Sequence, residues 1–174
     1  MNRVLNIQNR QREVLVQTRA LRRAALVLLD DLLPLRAYEV NVRLVGSQSM
    51  ARWNHRLLAH EGPTDVISLS YRPPAPHPGG TSSRQSLLNS PRVLHGELLI
   101  CPRVAVEQAR QFRVSWPLEL VRYLAHGLLH LLDFDDCEPA ARRRMKREEN
   151  RLVRELARRC PIGSIAGRVR GTAR

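Results

Sequence analysis

His126 and His130 stand four residues apart in the run His126-Gly127-Leu128-Leu129-His130-Leu131-Leu132-Asp133-Phe134-Asp135-Asp136, which ends in acidic residues. On a helix that spacing puts two imidazoles one turn apart on the same face. Each then has a ring nitrogen able to come within about 2.0–2.1 Å of one zinc ion, which needs one or two further ligands. Asp136, just past the helix end, is positioned to supply one. Cys137 competes for that role, because thiolate suits zinc and the residue is one place further on. Zinc proteases of the His-Glu type carry a general-base glutamate directly after the first histidine, whereas Gly127 has no side chain to move a proton. Peptide hydrolysis is therefore disfavoured, and another metal-assisted hydrolysis is favoured.

The element that must hold these histidines is an apolar helix. From Leu118 to Leu132 the main polar exceptions are Glu119, Arg122, His126 and His130, at steps of three and four. A helix so apolar over the rest of its circumference is buried, with its polar stripe turned toward polar groups. Pro117 is placed to open it, as Pro102 opens the helix before. Around these, strands are expected at Val4 to Ile7, Glu39 to Val45, Asp65 to Tyr71 and Val93 to Ile100. Helices are expected at Val16 to Leu32, Ser47 to Leu58 and Pro139 to Arg159, the last burying Met145, Leu152, Val153 and Leu156. Glu138 is the nearer capping residue for that helix, leaving Asp136 free, and Asp133 fits a left-handed turn. The expected fold is α+β: a single domain with a small mixed sheet packed by helices and the metal site on a central buried helix.

The histidine segment resembles the YbeY family of metal-dependent endoribonucleases, whose motif reads H-G-x-x-H-L-x-G-Y-D-H. His126, Gly127, His130, Leu131 and Asp135 match it, and Phe134 replaces the tyrosine. Asp133 stands at the usual glycine and Asp136 at the usual third metal-binding histidine. Aspartate is a competent zinc ligand, so the resemblance implies one zinc per chain held by His126, His130 and Asp136. Asp135 then serves as a hydrogen-bond acceptor behind the ligands or as a turn residue. Gly62-Pro63-Thr64-Asp65-Val66-Ile67-Ser68 is similar to the family's P-T-D-V-L-S-F strand, and His95-Gly96-Glu97-Leu98-Leu99-Ile100 to its L-G-D-I strand. Asn54-His55-Arg56 echoes an Asn-x-x-x-Arg segment, with Leu58 at the usual arginine position. Arg56 stands in for that arginine or is simply a solvated helix residue. Asp65 and Glu97 either orient ligands and relay protons or cap a turn and pair with arginine. The implied function is cleavage of single-stranded RNA in maturation of the 3′ end of small-subunit ribosomal RNA, with ribosome quality control. The implied partner is the small ribosomal subunit. A non-catalytic RNA- or ribosome-binding factor with a structural zinc is the alternative, and Cys137 as a fourth ligand would point to it.

Charge agrees with an RNA partner. The 174-residue chain has 29 Lys and Arg against 16 Asp and Glu, a formal net charge of +13, and all but one of the basic residues are arginine. Arginine's planar fork suits phosphate, although the same bias arises from GC-rich coding sequence. With two Trp, three Tyr and two Phe, single-strand binding rests mainly on phosphates rather than on stacked bases. Cys101, Cys137 and Cys160 are odd in number and widely spaced, as in a reduced, cytoplasmic protein. No run approaches the ~20 apolar residues of a membrane span, and no apolar leader is evident. The expected division is a YbeY-like metallohydrolase domain over 1–160 and a basic, disordered tail over 161–174. Within the domain, residues 72–92, rich in Pro, Gly and Ser, form either a flap over the metal site or a surface insertion.

Overall fold

Val40, Val42 and Leu44 alternate with Glu39, Asn41 and Arg43 along β2 (Leu35–Leu44), and the first set is buried. Period-2 alternation gives a strand one apolar face, and that face needs a cover. In the computed structural model, which describes residues 2–71 and 92–167, this strand lies inside a four-stranded mixed sheet. β1 (Arg3–Asn9) and β4 (Arg92–Ile100) flank it in parallel, and β3 (Val66–Ser70) pairs antiparallel with β4 at the edge. The order is β1-β2-β4-β3.

The register joins the buried sets across the sheet. Leu5 and Ile7 lie opposite Val40 and Val42, and Gly96, Leu98 and Ile100 lie opposite Val40, Val42 and Leu44. α1 (Thr18–Leu26) covers β1, and α4 (Trp116–Leu131) lies across β3 and β4. α2 (Ser47–Leu58) lies between β2 and β3, α3 (Pro102–Phe112) leads from β4 to α4, and α5 (Pro139–Arg159) packs on α4. Leu120, Leu124 and Leu128 of α4 are fully buried. Gly127 is the point of closest approach to the sheet: a Cβ there would sit 2.8 Å from a Leu98 methyl and 3.0 Å from one of Val66. The residue that cannot act as a base is thus also the one that lets the metal helix lie against the strands.

The expected α+β domain is the one observed. Several boundaries differ: β2 begins at Leu35 rather than Glu39, and Arg92, expected in the excursion, opens β4. The helix expected over 16–32 starts at Thr18, and its last turn, Val27–Leu32, widens so that Leu33 N–H donates to Leu28 O. In that turn Asp30 accepts from Arg3 and from the Tyr38 hydroxyl. The metal helix starts at Trp116, with Pro117 inside its first turn. Part of the expected disordered tail is folded: Ile162–Ile165 makes a 3₁₀ turn with Ile162 and Ile165 buried, and Ala166 bridges to Val16. Two isoleucines among the arginines supply enough apolar surface to hold that turn on α1. Residues 72–91 of the expected excursion and 168–174 of the tail lie outside the described residues.

Candidate metal centre

His126 and His130 occupy successive turns of α4 on its one polar stripe, with ring centroids 4.7 Å apart and planes at 82°. Each Nδ1 has a partner that can only accept. His126 Nδ1 donates to Glu149 Oε2 at 3.0 Å, and His130 Nδ1 donates to the Phe134 carbonyl at 3.1 Å. With both protons on Nδ1, both Nε2 atoms carry lone pairs, and they face each other at 3.1 Å. Two facing acceptors repel unless a cation or a proton lies between them. Nitrogens bound to one tetrahedral zinc at about 2.0–2.1 Å are roughly 3.3 Å apart, close to the spacing here. The donor set fits a metal ion.

Asp136 completes the group. Its Oδ2 lies 4.0 Å from His130 Nε2, and ligand atoms of His126, His130 and Asp136 all fall within 4.8 Å of one another. Phe134 N–H donates to Leu129 O, and Asp133 takes the left-handed conformation at φ 66°, so the chain turns sharply back over the helix end. Asp133 therefore does what the family's glycine does, as an aspartate can. Asp135 is the turn residue of its two expected roles: its Oδ1 accepts the Cys137 backbone N–H at 3.0 Å, and this bond holds its carboxyl below the usual range. Cys137 lies outside the histidine group and clusters instead with Asp135 and Asp136. The Asp135 carboxylate accepting its S–H pushes the thiol up, away from the thiolate a metal needs.

At His130 the surroundings favour metal over proton. Burial and the neighbouring His126 push His130 below the usual imidazole range, against the opposing pull of Asp136 and the Phe134 carbonyl. A neutral imidazole is the form that coordinates. Burial pushes the Glu149 carboxyl up, but hydrogen bonds with His126, Lys146 and Arg122 outweigh it and hold the group at about 2. Arg122 and Lys146 each reach Glu149 Oε1 at 2.7 Å. Glu149 was not among the sequence candidates. Its signal was its place in the apolar stripe of α5, at 145, 149, 152 and 156, where a carboxylate must have a buried partner.

The other candidates make no hydrogen bond or ion pair to this group among the described residues. Arg56 is exposed near the end of α2. Asp65 Oδ1 accepts from the Thr64 hydroxyl and the Val66 N–H, at the start of the strand beneath Gly127. Glu97 alternates with Gly96 and Leu98, which face α4, so it points to the other side of the sheet. There it lies 2.7 Å from Arg43 and accepts from the Tyr71 hydroxyl, which is the structural pairing foreseen for it rather than a ligand-orienting role. Glu138 occupies the cap position of α5 but makes no capping hydrogen bond. No helix is long and apolar enough to cross a membrane among the described residues.

Comparison with known proteins gives one family. A family profile described as "Endoribonuclease YbeY" matches residues 6–157. Proteins named "Endoribonuclease YbeY" are similar to the chain. That of Thermobifida fusca is 36% identical over 136 residues, covering 76% of this chain and 81% of the relative. That of Kineococcus radiotolerans is 34% identical over 126 residues, 72% and 69% of the two chains. That of Frankia alni is 36% identical over 115 residues, 66% of this chain but only 61% of the relative's length. The fold is also that of a Thermotoga maritima protein solved in solution, with a TM-score of 0.55 at 22% identity, covering 99% of this chain and all of that one.

Proposed function

The chain belongs to the Endoribonuclease YbeY family, and from that premise we propose that it is a zinc-dependent endoribonuclease specific for single-stranded RNA. The proposal extends to its place in the cell: maturation of the 3′ end of small-subunit ribosomal RNA and ribosome quality control, in the cytoplasm, with the small ribosomal subunit as partner. The observation that carries the reading is the pair of Nε2 atoms of His126 and His130 facing each other at 3.1 Å, with Asp136 beside them.

In the proposed site His126, His130 and Asp136 hold one zinc ion. Such an ion supplies electrophilic polarisation of a phosphate and a nucleophile at neutral pH, so no general-base glutamate is needed at Gly127. Glu149 keeps the His126 proton on Nδ1, and the Phe134 carbonyl does the same for His130. Arg56 is the proposed cation for charge developing on the scissile phosphate. Asp65, next to the Val66 that packs under Gly127, is the proposed orienting carboxylate.

The test is elemental analysis of purified wild type, His130→Ala and Asp136→Ala, each also assayed on single-stranded RNA. The proposed site requires about one zinc in wild type, with metal and cleavage lost together in both variants. Asp136→Ala that keeps metal and activity would move the third ligand elsewhere. Wild type that holds zinc and never cuts RNA would replace the nuclease with a binding factor.

A further inference from the structure

α5 separates its cations into two groups. Lys146 pairs with Glu149, Arg151 with Glu148 and Arg158 with Glu155, while Arg142 donates to the backbone carbonyls of Asp136 and Cys137. Arg159 pairs with Asp31, whereas Arg143, Arg144, Arg147 and Arg154 are exposed and have no hydrogen-bond or ion-pair partner among the described residues. At 3.6 residues per turn Arg143, Arg147 and Arg154 fall within a sector of about 40°, on the side opposite the buried Met145, Leu152 and Leu156, and Arg144 lies about 60° outside it. The sector runs about 17 Å along the axis. It begins next to Arg142, whose guanidinium reaches Asp136 O at 2.9 Å, beside the metal centre.

A like-charged pair at i, i+4, as in Arg143 and Arg147, destabilises a helix that offers it no counter-charge. The neighbouring positions show that this helix carries carboxylates where it needs them, at 148, 149 and 155. An external polyanion would supply what is missing. We infer that Arg143, Arg147 and Arg154 form a phosphate track that holds single-stranded RNA along the outer face of α5 and leads it from the metal centre. This deepens, and rests on, the nuclease reading. Each guanidinium can take a phosphate bidentately, which lysine would not do. A membrane surface fits less well, because the exposed neighbours along the sector are Asn150, Ala157 and Arg158 and present no bulky apolar side chain for insertion.

The test is binding of a labelled, unstructured single-stranded RNA to the full-length protein across a salt series, with RNA integrity checked on a gel. Wild type is compared with the triple variant Arg143→Gln/Arg147→Gln/Arg154→Gln and with Arg12→Gln/Arg36→Gln/Arg110→Gln, which removes three exposed arginines elsewhere that have no hydrogen-bond or ion-pair partner among the described residues. Three lost phosphate contacts should lower the slope of log affinity against log salt by about 2, so the wild-type advantage shrinks about 20-fold between about 50 and 200 mM salt. The second triple variant should keep most of the wild-type slope. An unchanged slope in the α5 variant, or an equal loss in both, overturns the track. Loss of binding to phosphatidylserine vesicles with RNA binding intact also overturns it, in favour of a membrane surface. Wild type that binds by this track and never cleaves RNA sinks the nuclease reading alone; wild type that cleaves normally with an unchanged α5-variant slope sinks the track alone.

Discussion

Glu149 Oε2 accepts the His126 Nδ1 proton at 3.0 Å across the interface of α5 and α4, and this bond fixes which nitrogen His126 turns toward His130. A carboxylate behind a ligating histidine sets its tautomer and raises its basicity. Glu149→Gln keeps the shape, yet its amide cannot satisfy Arg122, Lys146 and His126 together. Metal affinity in the folded variant is expected to fall about 10- to 100-fold, read by competition with a chromogenic chelator. Unchanged affinity would mean that the proton on His126 is set by something else.

The same carboxyl makes the metal-free protein acid-sensitive. Its pKa is held at about 2 against an ordinary 4.5, so it contributes stability that is fully present above 4.5 and is lost as pH falls toward 2. The side chain is 4% exposed, so solvent screening removes little of this, and the contribution is on the order of 3 kcal/mol. Urea unfolding of chelator-treated wild type should therefore steepen its loss of stability across that window. Glu149→Gln should show a flatter profile there, and identical profiles would sink the assignment.

Spacing along one element was legible in the sequence, and contacts between elements were not. The His126 and His130 pair, its buried helix and the left-handed Asp133 all follow from local rules applied within a few residues. The partners of His126 and Glu97 come from segments distant in sequence: Glu149 from a later helix, Arg43 from an earlier strand. Apolar periodicity placed α5 without showing which of its charges turned inward. Glu97 looked equivalent to Asp65 because both sit near family motifs, and their partners separate them: Arg43 and Tyr71 for Glu97, Thr64 and the Val66 N–H for Asp65. Ile162 and Ile165 were hidden by the arginines around them, although two apolar residues three apart suffice to anchor a turn.

Chelation distinguishes a catalytic zinc from a structural one. The core of Leu98, Leu120, Leu124 and Leu128 is fully buried without help from the ligands, and both histidines are held at Nδ1 by protein groups. Removing metal is thus expected to abolish RNA cleavage while leaving one cooperative thermal transition. Restored zinc should raise its midpoint by a few degrees in proportion to the logarithm of free metal. Disappearance of the transition on chelation would identify a structural site.

Asp133 tests how the turn beyond α4 serves the site. Its φ of 66° is costly for a β-branched residue and free for glycine, and the turn it makes brings the Phe134 carbonyl to His130 Nδ1. Asp133→Val should cost about 1–2 kcal/mol in urea unfolding and weaken metal binding, because the strain falls on the segment that orients His130 and carries Asp136. Asp133→Gly removes that strain and gives up a 3.7 Å contact between Arg92 and a half-exposed carboxylate. Such pairs contribute at most about 1 kcal/mol, so stability should change little and metal affinity should stay at the wild-type level. Equal damage from valine and glycine would show that the aspartate side chain, and not the left-handed backbone, is what the site requires.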